Sequence, residues 1–520
     1  MPKTFFITTA IDYTNSAPHI GHAYEKVLAD VMARYHRLKG DNAFFLTGVD
    51  QHGQKVQQSA AKQGVPPEQF VAGVTEQFIA LWDKLDVRYD AWAATTDPLH
   101  KKCVQGMLQR LFNEGQIYKD KQAGYYSVRQ EQFLTEKERG PDGNFAAEWG
   151  EVEFREEENY YFRLSEHKEW LLQFLRSHPD FVSPSFRQTE LFNAVEKLSG
   201  DLCISRPKSR LSWGIELPFD REYVNYVWFD ALSNYISFIG YDPDKAFNSQ
   251  PSTFRDRWPA LQIIGKDILN PAHGIYWPIM LHALGFPDEA MPQLLVHGWW
   301  NLGGAKMSKS AGNIVDPNAL AGKYGPEALR YYLMTDIVIG RDADFLEYRI
   351  AEGYNADLAN TIGNLLNRTL NMAQRYGDGK ISRGKLESTL ELEILARAYA
   401  DLAEDVWMSG TMMTAVKIAG KANQLIEERA PWKMMKEAKE KEVSHLLYNL
   451  AEALRVIAIL LSPVLPKGAH GIFDQLNWKM ELGEKEERFR LEDAKWGGLP
   501  EGHVVGKPVP LFPRIEIDSG

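Results

Sequence analysis

Two short motifs, far apart in the chain, carry residue types that bind phosphate. The first is Pro18-His19-Ile20-Gly21-His22, which follows an apolar run at residues 4–10. The second is Lys306-Met307-Ser308-Lys309-Ser310, in a glycine-led loop after the apolar residues 294–297. Imidazole N–H groups can donate to phosphate, and lysines can neutralise charge on a departing pyrophosphate. Together, in this order, the motifs predict a site that splits ATP between its α and β phosphates to activate a carboxylate.

The first motif lies where a strand turns into a helix. Residues 5–7 are typical of a short buried strand, and from Gly21 apolar residues recur at helical spacing up to Leu38. A helix N-terminus favours anions, and Gly21 allows a flat ring to approach the backbone closely. Taken alone, this motif fits a plain helix start equally well, and the second favours a solvated basic loop. A given four-residue word occurs on the order of once per several hundred such chains, so the ordered pair favours the site.

The pair resembles the signatures of the class I aminoacyl-tRNA synthetases. Five further segments make the chain similar to the methionyl-tRNA synthetase family: Ile11-Asp12-Tyr13-Thr14-Asn15, Gly48-Val49-Asp50-Gln51-His52-Gly53, Tyr226-Val227-Trp228-Phe229-Asp230-Ala231, Ile264-Gly265-Lys266-Asp267 and Arg429-Ala430-Pro431-Trp432. The resemblance covers nearly the whole chain, from about Phe5 to Ile515. It implies an enzyme that converts L-methionine and Mg²⁺-bound ATP into methionyl-adenylate and pyrophosphate. It also implies a second step, in which methionine passes to the 3′-terminal ribose of tRNA(Met).

The resemblance assigns roles to individual residues. Catalysis would depend on His19, His22, Lys306 and Lys309. ATP would contact these four residues together with Gly21, Gly265, Asp267, Met307, Ser308 and Ser310. Methionine would contact Ala10, Ile11, Tyr13, Asp50, Trp228, Ala231, Leu232, Tyr235 and His273, with Asp50 pairing with its ammonium group. The CAU anticodon would be read by Asn364, Arg368 and Trp432.

The pattern around these residues supports some of the assignments and leaves one open. Asp50 follows a predicted strand, at the sheet edge where open parallel sheets bind ligands. The four residues Trp228, Ala231, Leu232 and Tyr235 recur at helical spacing and form one helix face, which on periodicity alone would be core. His273 follows Asp267 with one residue more than is usual in the family, so its role in the pocket is left open. Asn364 and Arg368 are four residues apart and share a helix face.

The elements that position these residues predict an α/β fold. Alternating strands and helices indicate a parallel sheet, and long helical periodicity later in the chain indicates a bundle of about five helices. We therefore predict a split Rossmann-type parallel-sheet catalytic domain with an inserted connective domain, followed by an α-helical bundle anticodon-binding domain. The predicted bounds are 1–115 and 224–297 for the two catalytic halves, 116–223 for the insert, 298–350 for the second motif and a stem-contact region, 351–498 for the bundle, and 499–520 for an extended strap.

Composition bounds the compartment and the partners of the protein. The 520 residues are 44% hydrophobic and 25% charged, which is ordinary for a soluble globular protein. We find no run of about 20 apolar residues and no signal segment, so we expect a cytoplasmic protein without a membrane partner. A net charge of −11 argues against nonspecific coating of nucleic acid, but a local basic patch can still bind tRNA.

The only cysteines in the sequence are Cys103 and Cys203, which fits a reducing compartment and offers no disulfide framework. Many members of the family bind zinc through cysteine pairs in the insert. This chain has Ser127-Val128-Arg129-Gln130-Glu131 there and cannot form a tetrathiolate site, so we predict no structural zinc. The sequence also lacks the extra oligonucleotide-binding domain that dimerises some relatives, and we expect a monomer.

Three alternatives stay open at this point. Another class I synthetase is the nearest, although those for isoleucine or valine carry a larger editing insert and the one for cysteine uses a metal to select its substrate. A small-metabolite nucleotidylyltransferase shares the His-x-Gly-His turn but has no need of the helical bundle. A catalytically dead tRNA-binding protein is disfavoured by the intact histidines and lysines of both motifs.

Overall fold

The computed structural model describes residues 3–127, 132–134, 138–140, 142–307, 313–406, 408–478 and 489–516. Its strands are β1 (Thr4–Thr9), β2 (Asp12–Tyr13), β3 (Asn42–Asp50), β4 (Ala91–Ala94), β5 (Ile117–Ser127), β6 (Gln132–Leu134), β7 (Val152–Phe162), β8 (Val182–Ser183), β9 (Leu202–Cys203), β10 (Ser205–Pro207), β11 (Glu216–Leu217), β12 (Asp220–Asn225), β13 (Leu261–Gly265), β14 (Gln293–His297), β15 (Trp300–Leu302), β16 (Ala305–Lys306) and β17 (Ala343–Asp344). Its helices are α1 (Ile20–Lys39), α2 (Gln54–Gln63), α3 (Pro67–Lys84), α4 (Pro98–Asn113), α5 (Lys168–Ser177), α6 (Ser185–Glu196), α7 (Val227–Leu232), α8 (Asn234–Ser237), α9 (Ser252–Arg255), α10 (Lys266–Ile268), α11 (Trp277–Ala283), α12 (Pro317–Tyr324), α13 (Pro326–Thr335), α14 (Tyr348–Gly353), α15 (Asn364–Gly377), α16 (Leu392–Glu404), α17 (Met408–Arg429), α18 (Pro431–Lys436), α19 (Glu440–Leu461) and α20 (Pro466–Gln475).

A parallel sheet forms the centre of the first part of the chain. Its strand order is β2–β3–β1–β13–β14–β8, with β4 also paired to β3. The strand β1 lies between β3, which follows it through α1, and β13, which comes more than 200 residues later. Successive strands are therefore added on one side of β1 and later on the other, which makes the boundary between β1 and β13 a topological switch point. At such a point the carboxyl ends of the parallel strands open a ligand cleft. The predicted split Rossmann-type fold is confirmed.

Close approach between two strands requires a glycine at position 48. A Cβ atom there would lie 1.9 Å from the carbonyl oxygen of Ala93 on β4. Any side chain would push β4 away from β3, so Gly48 fixes the distance between the strand that ends at Asp50 and its neighbour.

The insert is built on two small antiparallel sheets, ordered β6–β5–β7–β9 and β10–β12–β11. The hairpin of β5 and β7 pairs from Ile117 with Phe162 to Ser127 with Val152, so these strands are much longer than the aromatic clusters alone predicted. Strand β8 also lies within the predicted insert but pairs with β14 in the main sheet. A two-residue strand carries no periodic signal, which is why the sequence did not place it there.

The second motif begins in a small sheet next to the helical unit. In this sheet β15 pairs with β16 as a hairpin and with β17 in parallel. Helices α14 and α15 follow, joined without a break by a wide π-helical segment, Tyr354–Gly363. The later helices α16, α17, α19 and α20 pack around them, as predicted for a bundle.

Helix α19 lies in the middle of this bundle. By length and mean hydropathy, 1.4 over its most apolar stretch, it is the one helix among the described residues that could cross a membrane. However, 89% of that stretch is buried inside the protein, and a helix that is apolar on all sides is typical of a core. A buried ion pair between Arg455 and Glu452, 2.9 Å apart, interrupts the apolar run.

A buried arginine joins the parallel-sheet part of the chain to the bundle. Arg330 on α13 contacts the Asp30 carboxylate on α1 at 2.7 Å and donates to the Leu85 carbonyl at 2.9 Å. The same guanidinium donates to the carbonyl oxygens of Pro463 and Val464, between α19 and α20, at 2.9 and 2.7 Å. Burial opposes ionisation of Asp30, but the charges of Arg34 and Arg330 outweigh it and lower the pKa of this carboxyl. Arg330 therefore ties the two parts together through polar contacts.

The last described residues run as an extended strap across the bundle. Ile515 and Asn355 exchange two hydrogen bonds, of 2.8 and 2.9 Å. The backbone of Val504 forms an isolated antiparallel β-bridge with that of Lys380. This arrangement agrees with the extended conformation predicted from the prolines.

Candidate active site

The two histidines of the first motif form the N-terminal cap of α1. Nδ1 of His19 accepts a hydrogen bond from the Gly21 backbone N–H at 3.1 Å. Nδ1 of His22 accepts one from the His19 backbone N–H, also at 3.1 Å. This is the reciprocal geometry of a capping box, with imidazoles in place of the usual hydroxyl and carboxylate. The two histidines predicted to bind phosphate are therefore also the residues that cap the helix.

The cap fixes which ring nitrogens can reach a ligand. Because both Nδ1 atoms accept from backbone N–H groups, the ring proton of each neutral imidazole must be on Nε2. The two rings stack with centroids 3.7 Å apart. A Cβ atom at Gly21 would lie 3.0 Å from the His19 ring, so a side chain there would displace it. The motif thus presents two N–H donors at a helix N-terminus, which suits an anionic ligand.

A buried lysine, which the sequence analysis missed, holds the end of β1 against α1. Lys26 Nζ donates to the Ala10 carbonyl at 2.8 Å, to Asp12 Oδ1 at 2.8 Å and to Glu25 Oε1 at 2.9 Å. Burial opposes its protonation, but the charges of Asp12 and Glu25 outweigh it and raise the pKa of Lys26. Burial also raises the pKa of Asp12 to about 7. The signal that could have found Lys26 is a set of charged residues, with Glu25, Asp30 and Arg34, among the apolar residues in the centre of α1.

The base of the second motif is docked on the helix of the first. Glu25 Oε2 lies 3.1 Å from His297 Nε2 at the end of β14, and Trp300 at the start of β15 packs its ring edge-on against Tyr24. The backbone of Lys306 pairs with Asn301 in the following hairpin. Met307 is partly buried. The Lys306 side chain and the residues Ser308, Lys309 and Ser310 lie outside the described part of the structure.

The predicted nucleotide contacts Gly265 and Asp267 are adjacent at the end of β13. A Cβ atom at Gly265 would lie 2.7 Å from Asp267 Oδ1 and 3.6 Å from the His297 ring. Asp267 is exposed. Since β13 is the neighbour of β1, these residues flank the same cleft as the two stacked histidines.

The ammonium-binding candidate Asp50 lies at the end of β3, paired in register with Tyr13 of β2. Its carboxylate is buried, with Oδ1 3.4 Å from the His52 backbone nitrogen and 3.5 Å from Thr95 Oγ1. A buried carboxylate is stable only with compensating partners. The pairing of β2 with β3 thus brings Asp50 next to Tyr13, which follows Ala10 and Ile11 in the chain.

The aromatic side of the pocket comes from α7 and α8. Ala231, Leu232 and Tyr235 are buried on one helix face, and Trp228 is partly buried. His273 joins them, because its Nε2 lies 2.7 Å from the Tyr235 hydroxyl and its ring packs edge-on against Trp228 at 6.5 Å. His273 lies just after a kink at Asn270 (φ −114°, ψ 119°), which interrupts the helical backbone of Leu269–Tyr276. The structure therefore places His273 with the predicted pocket residues.

The protonation state of His273 follows from its contacts. Nδ1 lies 3.0 Å from the Ile268 carbonyl and must donate to it, so Nε2 accepts from the Tyr235 hydroxyl. Burial lowers the pKa of His273 to about 4, so the ring is neutral at physiological pH.

We expect His273 to make stability depend on pH. Its folded-state pKa lies below its unfolded value of 6.5, so the unfolded chain binds the extra proton and stability is lost as pH falls from about 6.5 to 4. The loss is at most about 3 kcal/mol. Urea unfolding at pH 7 and pH 5 should show a smaller pH effect for His273→Asn than for the unsubstituted chain. Equal pH effects in both proteins would contradict this account.

The three residues predicted to read the anticodon lie on neighbouring helices. Asn364 and Arg368 on α15 face α17, where they contact Asn423 at 3.4 Å and Glu427 at 2.6 Å. Trp432 begins α18 directly after α17 and is 38% exposed. An exposed tryptophan can stack on an unpaired base, and the amide and guanidinium groups of Asn364 and Arg368 can hydrogen-bond to base edges.

Comparison with known proteins gives matches along nearly the whole chain. Residues 5–148 and 146–370 match the family of class I tRNA synthetases (M), and residues 379–519 match the anticodon binding domain of methionyl tRNA ligase. The methionine–tRNA ligase of Caldanaerobacter subterraneus is 39% identical over 528 residues, covering 100% of this chain and 80% of that protein. The methionine–tRNA ligase of Thermosynechococcus vestitus is 38% identical over 535 residues, covering 100% and 99%.

A solved structure agrees with these sequence matches. Mycobacterium tuberculosis methionyl-tRNA synthetase in complex with methionyl-adenylate is 35% identical to this chain, with a TM-score of 0.88 over 98% of this chain and 100% of that one. The apo form of the same synthetase has a TM-score of 0.83 at 31% identity, over 99% of each chain.

Proposed function

Because this chain belongs to the methionyl family of class I tRNA synthetases, we propose that it activates L-methionine with ATP and then transfers the methionyl group to tRNA(Met). The observation that carries the proposal is the capped pair His19 and His22, whose Nε2–H donors lie at the switch point of the sheet. Asp50 and the aromatic group of Trp228 and Tyr235 flank the same strand ends.

The first step is an in-line exchange at phosphorus. A methionine carboxylate oxygen attacks the α-phosphorus of ATP, and the bond to the bridging oxygen breaks so that pyrophosphate leaves with that electron pair. His19 and His22 donate to phosphate oxygens, while Lys306 and Lys309 neutralise the departing charge. Mg²⁺ arrives bound to the ATP phosphates and is part of the substrate. No side-chain nucleophile is needed, so catalysis is positioning and electrostatics.

In the second step the 3′-terminal ribose hydroxyl of the tRNA attacks the carbonyl carbon of methionyl-adenylate. The ester bond to the ribose forms as the anhydride bond to phosphate breaks, and AMP leaves. The proposal includes no structural zinc, because two cysteines cannot supply a tetrathiolate site. We also propose that the protein is a cytoplasmic monomer without a membrane partner.

Methionine selection would come from the slot made by Trp228, Leu232 and Tyr235. A thioether is apolar and polarisable, and it packs favourably at the edge of aromatic rings. The neutral His273 holds the Tyr235 hydroxyl in place from behind. Asp50 would pair with the ammonium group of methionine. An analogue with the same side chain but no ammonium group would leave the Asp50 carboxylate without this partner.

The test is ATP–pyrophosphate exchange without tRNA, run separately with each of the twenty amino acids. We expect exchange with methionine alone. Exchange with a different amino acid would preserve the adenylation chemistry but contradict the pocket assignment. A chain that exchanges with none of them would contradict the proposal, because a synthetase of this type forms the adenylate before tRNA binds.

For the tRNA step, we expect Trp432→Ala to weaken aminoacylation by about ten- to a hundred-fold in kcat/KM, since base stacking on an aromatic contributes about 1–3 kcal/mol. The same variant should leave tRNA-independent exchange unchanged, because Trp432 lies on α18 in the bundle. Trp478, a partly buried tryptophan three residues after α20, supplies a control through Trp478→Phe. Equal losses in exchange and in aminoacylation would contradict a role in anticodon reading.

A further inference from the structure

A buried carboxylate shared by two histidines lies behind the proposed methionine site. Asp230 on α7 accepts hydrogen bonds from His52 Nδ1 at 2.7 Å and from His100 Nε2 at 2.8 Å. His52 comes from the loop after β3 and His100 from α4. All three side chains are buried. On the far side, His100 Nδ1 lies 2.8 Å from Ser237 Oγ.

The carboxylate of Asp230 is ionised. Burial acts to raise the pKa of Asp230, but the two histidines outweigh it and lower this pKa to about 2. Because an ionised carboxylate only accepts, both imidazoles must donate to it. A shared, buried acceptor of this kind holds its two donors in one geometry, since moving either would leave a charge without a partner.

The group connects the two sides of the pocket. Asp230 lies between Trp228 and Leu232 in sequence, on the helix that carries the aromatic side. His52 is two residues after Asp50, and its backbone nitrogen lies 3.4 Å from Asp50 Oδ1. The His52–Asp230 contact is therefore a direct tie between the ammonium-binding candidate and the thioether slot.

The loop after β3 is fixed from two other directions. Its Gln51 N–H donates to Thr95 Oγ1 at 2.9 Å, and its Gln51 carbonyl accepts from the Trp213 indole at 2.6 Å. These contacts set the height of the loop above the sheet. The distance between this loop and α7 is limited by the hydrogen bond from His52 to Asp230.

We propose that His52, Asp230 and His100 act as positioning residues, which set the spacing between Asp50 and Trp228 and so the fit of the methionine backbone and side chain. The proposal rests on the proposed function, because it needs methionine as the ligand of this pocket. None of the three need touch the substrate. His100 is the most informative, because it is fully buried and its one hydrogen bond toward α7 is the one to Asp230.

The experiment compares His100→Leu with His100→Gln. Leucine removes the donor, whereas the glutamine amide can reach the position of Nε2 and donate to Asp230. We expect His100→Leu to raise the KM for methionine about ten-fold or more, with the KM for ATP and kcat within about two-fold, and His100→Gln to recover most of the loss. His282→Leu is the matched control, since His282 is partly buried against Trp170 and away from the pocket.

A second substrate distinguishes a change in the spacing between Asp50 and Trp228 from a general loss of order in the pocket. 4-(Methylthio)butanoate lacks the ammonium group, so its KM should rise less than that of methionine in His100→Leu. Equal changes in the KM values for methionine and ATP, a fall in kcat alone, or no recovery with glutamine would overturn the proposal. If His100→Leu does not fold, Asp230→Asn with its own melting curve replaces it, with the same expected KM split. Absence of methionine-dependent exchange in the unsubstituted chain would instead overturn the proposed function.

Discussion

Replacing His19 with asparagine is expected to lower kcat for methionine-dependent exchange by about a hundred-fold or more, the usual cost of removing one preorganised donor to a developing charge. Asparagine is among the best N-cap residues, so its side-chain oxygen can still accept the Gly21 N–H that His19 Nδ1 now accepts. It does not reach the Nε2 position. The variant therefore removes the phosphate donor while keeping the helix start.

The companion variant His19→Gln makes the opposite change. Its amide reaches the Nε2 position but caps the helix poorly, so we expect a lower melting temperature and a smaller fall in kcat. Measuring melting curves and exchange kinetics for both variants separates the two functions of His19. A large fall in kcat that follows the loss of stability in both variants would show that His19 acts only as a cap.

The second large effect is expected for Asp50→Asn, which should lower kcat/KM for methionine by about a hundred- to a thousand-fold. Removing one partner of a buried charge pair costs about 2–5 kcal/mol. The substitution keeps the size of the side chain, and the asparagine oxygen can accept the hydrogen bonds that reach Oδ1 from His52 and Thr95. The loss should therefore come from the ammonium group of the substrate.

That origin can be measured with 4-(methylthio)butanoate, which has no ammonium group. The unsubstituted protein should strongly prefer methionine over this analogue, and the preference should nearly vanish in Asp50→Asn. A matched control is Asp97→Asn, because Asp97 caps α4 through a 2.8 Å bond to the Leu99 N–H and asparagine caps equally well. If Asp50→Asn still strongly prefers methionine over the analogue, a residue other than Asp50 binds the ammonium group.

Local patterns in the sequence predicted most of the fold. The helical periodicity from Gly21 to Leu38 matches α1, and the helix face at residues 228–235 is present, with only a turn at Ser233 between α7 and α8. Such features depend on neighbours within one or two turns, which the sequence displays directly. The chemical roles of the residues in these elements stay predictions.

The contacts that join the site across the chain could not be predicted in this way. Glu25 and His297 are 272 residues apart, and His100 and Asp230 are 130 apart. Each is an ordinary polar residue in its own segment, and only the folded sheet brings it to a partner. The position of His273 was left open for a related reason, because a kink such as the one at Asn270 changes the helical register and periodicity cannot show where that happens.

The guanidinium of Arg330 has a consequence for how the molecule melts. It is fully buried and its partners come from α1, from the end of α3 and from the loop before α20. If the bundle opened by itself, Arg330 would lose the carbonyl oxygens of Pro463 and Val464 while it stayed buried against Asp30, and buried guanidinium N–H groups without acceptors are costly. The free energy of opening either the parallel-sheet part or the bundle alone therefore approaches that of global unfolding. We expect the two parts to melt in one transition. Amide protons of α13, which lies at the junction, are then among the slowest in the chain to exchange with solvent.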